Sequence, residues 1–204
     1  MAKIKHTKTE LKAQTDALKR FQRFLPMLQL KKQQLQAEIA GITAKLTEVQ
    51  QREAAARQRL EAWIALYADA AVQPERLVTF RGVRTAQGNI AGVAIPIYEG
   101  IDAEPVPLDP YRTPAWTDDA QEMLTALMAL RAEGEVLERQ RELIREELHT
   151  TGQRVNLFEK VKIPECKENI RVIRIFIGDE QTAAVVRGKI AKGRTPVKKE
   201  ETDE

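Results

Sequence analysis

The sequence predicts a mainly α chain: a long antiparallel two-helix left-handed coiled coil, with a small β-hairpin and irregular return segment in its middle. Three observations predict it. Apolar residues recur in a heptad from Ile4 to Tyr67, the period of a left-handed seam. A second stripe of the same period follows Thr117. Charged residues make up 31% of the chain and aromatic residues only 5%, a composition of long helices rather than of a wide globular core.

In the first repeat, position a falls on Ile4, Leu11, Leu18, Leu25, Lys32, Ile39, Leu46, Glu53, Leu60 and Tyr67. Position d falls on Thr7, Gln14, Phe21, Leu28, Leu35, Ile42, Val49, Ala56 and Trp63. These 64 residues would make a rod of roughly 95 Å. Its apolar stripe is narrow, so it needs a partner of equal length. Thr7 followed by Glu10 has the spacing of a capping box and marks the helix start. Pro26, off the seam, removes one bond to the carbonyl of Gln22 and costs about 3 kcal/mol in a helix interior. Each buried Leu, Ile or Phe of the seam contributes roughly 1.5–3 kcal/mol on both sides of it. The expectation is a kink and not a break, with the helix ending between Tyr67 and Val72.

The middle, 73–116, holds six of the nine prolines. Leu77–Val83 reads as one short strand and Ile90–Tyr98 as a second, with the turn at Gln87-Gly88-Asn89. Such a hairpin is too small to stand alone and must lean on the helices or on a partner. Glu104–Thr113 reads as an extended return.

Thr117-Asp118-Asp119 opens the second helix, with carboxylates where the helix dipole favours them. Its stripe is Leu127, Leu130, Gly134, Leu137, Arg141, Ile144, Leu148, Thr151, Val155 and Phe158. It continues through Lys162, Cys166, Ile170, Ile173 and Ile177 with extra four-residue steps around Pro164, a stutter that unwinds the supercoil locally. Gly178, Gly188 and Gly193 weaken the helix toward its end, and 194–204 reads as a disordered tail. The expected domains are therefore 1–72, 73–116, 117–193 and 194–204. If Tyr67 lies level with Thr117, facing residue numbers sum to about 184, within a turn. Pro26 then faces Phe158 and Pro164 faces Arg20, giving one shared bend, while Glu53 comes near Arg131.

Residues 1–60 carry 13 bases and 5 acids, whereas 61–122 carry 4 bases and 10 acids. A basic end of this kind attracts nucleic acid, acidic membrane surfaces or acidic proteins. The opening Met-Ala-Lys does not read as a secretory signal, and no apolar run is long enough for a membrane span. The single Cys166 excludes an internal disulfide and fits a reducing compartment. G-x-x-x-x-G-K-[ST] is absent, and Gly82–Gly92 ends in a strand rather than at a helix N-terminus. His6 and His149 are isolated, and Glu146 and Glu147 lie on a long helix with no pocket implied. Cys166 at a seam position reads as a small buried hydrophobe. No catalytic, cofactor or metal residues are therefore assigned.

Two stretches carry a resemblance. Thr150-Thr151-Gly152-Gln153-Arg154-Val155-Asn156-Leu157-Phe158-Glu159, then Val161-Lys162-Ile163-Pro164, resembles the T-x-x-R-V-N-A-L-E and V-I-P signature of the D subunit of V/A-type ATPases. Met27-Leu28-Gln29-Leu30-Lys31-Lys32-Gln33-Gln34-Leu35 is similar to that family's L-L-K-x-K-R-D-x-L segment. Gly92–Pro96 and Thr113–Trp116 add like motifs in the same order. The motif positions are thus Leu28, Lys31, Lys32, Leu35, Arg154, Val155, Asn156, Glu159, Ile163 and Pro164.

The resemblance implies a non-catalytic central shaft of a rotary ATPase or ATP synthase, on the cytoplasmic side of the membrane in a peripheral complex. Its implied partners are the A- and B-type ring subunits, the small F stalk subunit and a C/d-type membrane-side socket, without nucleic acid or membrane insertion. Both chain ends would enter the ring, so Lys3, Lys5, Lys8, Lys12, Lys189, Lys192 and Arg194 become candidate ring contacts. The alternative is a coiled-coil scaffold or nucleic-acid-associated adaptor, supported by the basic N-terminal segment but lacking interleaved stacking aromatics.

Overall fold

The computed structural model describes residues 4–61, 77–109, 111, 113–114 and 116–194, with side chains as far as 192. Trp63, Tyr67, the predicted end of the first helix and the tail from Thr195 lie outside the described residues. In chain order the elements are α1 (Lys8–Glu61), β1 (Val78–Ile90), β2 (Val93–Pro105), α2 (Thr117–Asn156), a π-helical turn (Leu157–Lys162) and α3 (Ile163–Arg194). They fall into two compact units, Leu30–Gly152 and Met1–Gln29 with Gln153–Glu204.

The heptad determines which side of α1 is covered. Every predicted a and d residue from Leu11 to Leu60 is buried or half-buried, whereas Pro26 and Gly41 are exposed. Thr7 caps the helix as its spacing predicted: its hydroxyl accepts the Glu10 amide at 3.2 Å and its carbonyl accepts that of Leu11 at 2.9 Å. The helix runs through Pro26 without a break.

In the Leu30–Gly152 unit, Leu35, Ile42, Leu46 and Val49 of α1 join Leu137 and Ile144 of α2 and Ile95 of β2 in one core. Arg52 meets Glu133 at 3.7 Å, and a Cβ on Gly134 would lie 3.8 Å from Val49. Both match the antiparallel register expected from the sequence. The predicted Glu53–Arg131 pair does not form. Glu53 bonds Arg57 and Arg131 bonds Glu135, each one turn along its own helix, where no long side chain need cross the seam.

The hairpin departs from its predicted bounds. Both strands are longer, and the turn is Ala91-Gly92, with φ of 51° and 84°, rather than Gln87-Gly88-Asn89. Two successive positive φ values make the two-residue turn whose twist suits a hairpin, and Asn89 Oδ1 accepts the Gly92 amide at 2.9 Å. Gly88 pairs with Ile95 inside the ladder. A Cβ there would come within 2.5 Å of the Ile97 side chain, so this glycine serves close packing and not a turn. The return also starts later than predicted, because β2 continues to Pro105.

The hairpin leans on α2. Ala120, Leu124, Met128, Ala132, Val136 and Gln140 recur every four residues and are buried or half-buried, a second covered stripe beside the seam. Leu77 and Val78 pack with Ala120, Leu124 and Met128. The Gln121 side-chain amide donates to the carbonyls of Leu77 and Val106 at 2.8 and 2.7 Å, and Gln140 donates to that of Pro96. Thr117 begins α2 as expected, yet its hydroxyl donates back to the Pro114 carbonyl at 2.6 Å instead of capping an amide.

In the other unit, His6 stacks on Phe176 at 4.8 Å, Gln14 accepts from Asn169 at 3.4 Å, and Phe21 meets Phe158 at 4.9 Å. Phe158 thus faces Phe21 and not the predicted Pro26. Pro26 and Pro164 lie on opposite sides of that contact, about three turns apart along the pair, so they do not share one height and the expected single bend is not supported. The predicted stutter takes the form of the π-helical turn. The Ile163 amide donates to the carbonyl of Phe158, five residues back, just before a proline whose ring would clash with a carbonyl four residues back. Beyond it Cys166, Ile170 and Ile173 are buried as the shifted phase predicted. The glycines at 178 and 188 do not end α3, which continues to Arg194.

Candidate partner-binding surfaces

The motif residues divide by role. Leu35 is fully buried, Val155 is 5% exposed, and Leu28, Lys32 and Ile163 are half-buried. Lys31 reaches across to Glu147 at 2.5 Å, an ion pair between α1 and α2 inside one unit. Arg154, Asn156, Glu159 and Pro164 are exposed around the π-helical turn, which has no buried residue. The segment with the strongest family signature is thus half seam and half free surface.

The basic residues are surface groups. Lys5, Lys8, Lys12, Lys189 and Lys192 are all exposed, while Lys3 and the Arg194 side chain lie outside the described residues. They do not gather at one height. His6 lies level with Phe176, so Lys189 sits about 20 Å further along α3. Sequence reasoning missed the strongest feature of α3: every residue from Gly178 to Lys192 is exposed. Val185, Val186 and Ile190 are 59%, 49% and 51% exposed there. The signal was available, since His6 just before α1 lies level with Phe176, and no described helix runs beside the rest of α3.

Near the hairpin, Lys45, Glu48, Arg52, Tyr98, Glu133 and Gln140 line a polar cleft. Its charges balance, with Arg52 between Glu48 and Glu133. Burial, aided by Glu133, pushes the Tyr98 phenol up. Burial also pushes the Cys166 thiol up, with Glu165 adding and Lys162 opposing. The Arg141 guanidinium, at a seam position, has a buried Nε with no hydrogen-bond acceptor among the described residues. Among the described residues no three His, Cys, Asp or Glu side chains gather as a metal site, and no helix is long and apolar enough to cross a membrane.

The two motif stretches lie on the paired seams, 27–35 on α1 and 150–164 from α2 into α3, with the braced hairpin between them in sequence. The family model for the ATP synthase D subunit matches residues 10–193. The chain belongs to the ATP synthase D-subunit family. The V-type ATP synthase D subunit of Borreliella burgdorferi is 45% identical over 194 residues, covering 94% of this chain and 95% of that protein. The D subunits of Chlamydia pneumoniae and Chlamydia muridarum are 30% and 31% identical. They cover 98% of this chain, and 97% and 99% of their own lengths. These matches span both D-subunit motif stretches and the hairpin between them.

Proposed function

We propose that this chain is the non-catalytic central shaft of a V-type ATP synthase, carrying torque between nucleotide chemistry in a ring and ion movement in a membrane rotor. The observation that carries the reading is the fully exposed stretch of α3 from Gly178 to Lys192, with three large aliphatic side chains in water. Exposed large aliphatic residues such as Val185, Val186 and Ile190, with no described helix beside them, suit insertion into a larger assembly. The family's name supplies the assembly.

A shaft needs torsional stiffness and an asymmetric surface, and it needs no chemistry of its own. Paired helices with interlocked seams resist twist better than either helix alone. Two prolines and a π-helical turn in one unit supply asymmetry, so that successive ring sites meet different faces. The chain ends enter the ring in this reading. Lys3, Lys5, Lys8, Lys12, Lys189, Lys192 and Arg194 then face acidic groups of the A- and B-type subunits, which hold the shaft while contacts slide. The hairpin side lies toward the small stalk subunit and the socket, on the cytoplasmic side of the membrane. The organisation into 1–72, 73–116, 117–193 and 194–204 serves these roles.

The test is co-expression with the neighbouring genes and purification through a C-terminal tag. The reading expects a complex with a P-loop ATPase ring at one copy of this chain per ring. A homo-oligomer or bound nucleic acid alone would overturn it. Reversing Lys189, Lys192 and Arg194 together should weaken assembly; unchanged assembly and coupling would remove the electrostatic part.

A further inference from the structure

The two edges of the hairpin are treated differently. Along β2 the outer edge is blocked. Pro96 offers no amide, its carbonyl is taken by Gln140, and the ladder slips between Arg84 and Thr85, leaving Glu99 unpaired. Proline, a bulge and a capped carbonyl are ways of preventing strand addition. Along β1 none of these protects the regular stretch from Thr85 to Ile90, which contains no proline, lysine or register shift.

Which groups point outward follows from the register. Ile90 and Val93 flank a two-residue turn and exchange hydrogen bonds, so pairs alternate from there. Gly88–Ile95 and Ala86–Ile97 are bonded pairs; Asn89–Ala94, Gln87–Pro96 and Thr85–Tyr98 are not. Pro96 in an unbonded pair agrees with its missing amide. The N–H and C=O of Thr85, Gln87 and Asn89 therefore face away from β2, and all three residues are exposed. No hydrogen bond reaches them from any described residue outside the hairpin.

Charge is also divided between the strands. β1 carries Arg81 and Arg84 and no carboxylate; β2 carries Glu99, Asp102 and Glu104 and no base. Arg81 is paired with Glu104, but Arg84 has no ion-pair partner among the described residues. The Arg84 guanidinium lies over Gly100 of β2, 3.1 Å from where a Cβ on that glycine would sit, with no described carboxylate pairing it, so a strand added beside β1 would find an unneutralised base one strand away.

We propose that the outer edge of β1, from Thr85 to Asn89, accepts an extended, carboxylate-bearing strand of a partner subunit in the assembled complex, extending the hairpin to three strands. Spaced outward donors and acceptors recognise a strand by its backbone, and Arg84 selects an acidic one. This rests on the shaft reading.

The test is residue-resolved amide exchange on the full chain, free and within the purified complex, with two variants. Gln87→Pro deletes an outward amide that the hairpin does not use, whereas Gln87→Ala keeps it. The proposal expects exchange at Thr85, Gln87 and Asn89 to slow by about tenfold or more in the complex. Gln87→Pro should lose one subunit, with Ala86 and Gly88 still protected, while Gln87→Ala retains it. Arg84→Glu should lower recovery of that same subunit, and unchanged recovery would overturn its acidic character. Equal exchange free and assembled, or full assembly of Gln87→Pro, would overturn the proposal alone. Edge protection in the free chain together with dimer formation would make the occupant a second copy and refute it. Wild-type chain recovering no ATPase subunit would refute the shaft reading, and this proposal with it.

Discussion

Truncating Leu35 to alanine tests whether the seam holds the Leu30–Gly152 unit together. Leu35 is 0% exposed and lies in a core with Ile42, Leu46, Leu137 and Ile144. Three lost methylene equivalents at about 0.8 kcal/mol each give roughly 2.4 kcal/mol, and the unfilled cavity raises this to about 3 kcal/mol. For a chain of this length each kcal/mol moves Tm by roughly 2–4 °C. Leu35→Ala should therefore lower the helix-melting midpoint, followed by circular dichroism at 222 nm, by about 6–12 °C. Met27→Ala is the control. Met27 lies eight residues earlier on the same helix but is 61% exposed, so its replacement should shift the midpoint by less than about 2 °C. Equal shifts for the two variants, or a Leu35→Ala shift under about 2 °C, would refute the seam as the source of stability.

Arg141→Met should raise stability by about 1 kcal/mol, because it removes a buried Nε that has no acceptor among the described residues; a clear fall in urea midpoint would contradict this. Gly92→Val should cost about 1–2 kcal/mol at φ of 84°, and Gly92→Asn should be tolerated; equal losses would show that the turn conformation is not the cause. The Cys166 thiol is raised above its ordinary 9.0, so its contribution to stability is full below that value and falls as pH rises toward the folded-state pKa. Urea midpoints should therefore decline more steeply above pH 9.0 in the parent than in Cys166→Ala, and parallel curves would refute the assignment.

The seams were legible residue by residue because a heptad needs only side-chain type and spacing. Leu35, Ile42, Leu46 and Val49, and later Cys166, Ile170 and Ile173, are buried at their predicted phases. The second stripe of α2 was not read, although Ala120, Leu124, Met128, Ala132, Val136 and Gln140 repeat every four residues. Alanine and glutamine are weak apolar signals, and the stripe runs beside a stronger one. The turn was misplaced because glycine has two uses. Gly88 makes room for Ile97, while Gly92 takes the positive φ. The stutter around Pro164 was legible as a phase shift, but its π-helical form depends on where one amide finds a carbonyl. The basic residues were easily found. What they touch depends on partners, and single-chain pattern carries no trace of those beyond the exposed stretch of α3.

The central claim is that this chain turns inside a ring. Its most direct test is to fix the purified complex through the ring and attach a probe to an engineered cysteine on the hairpin in a Cys166→Ala background. ATP-dependent rotation of the probe in one direction is the predicted result. A probe that stays still while the same complexes hydrolyse ATP would contradict the account.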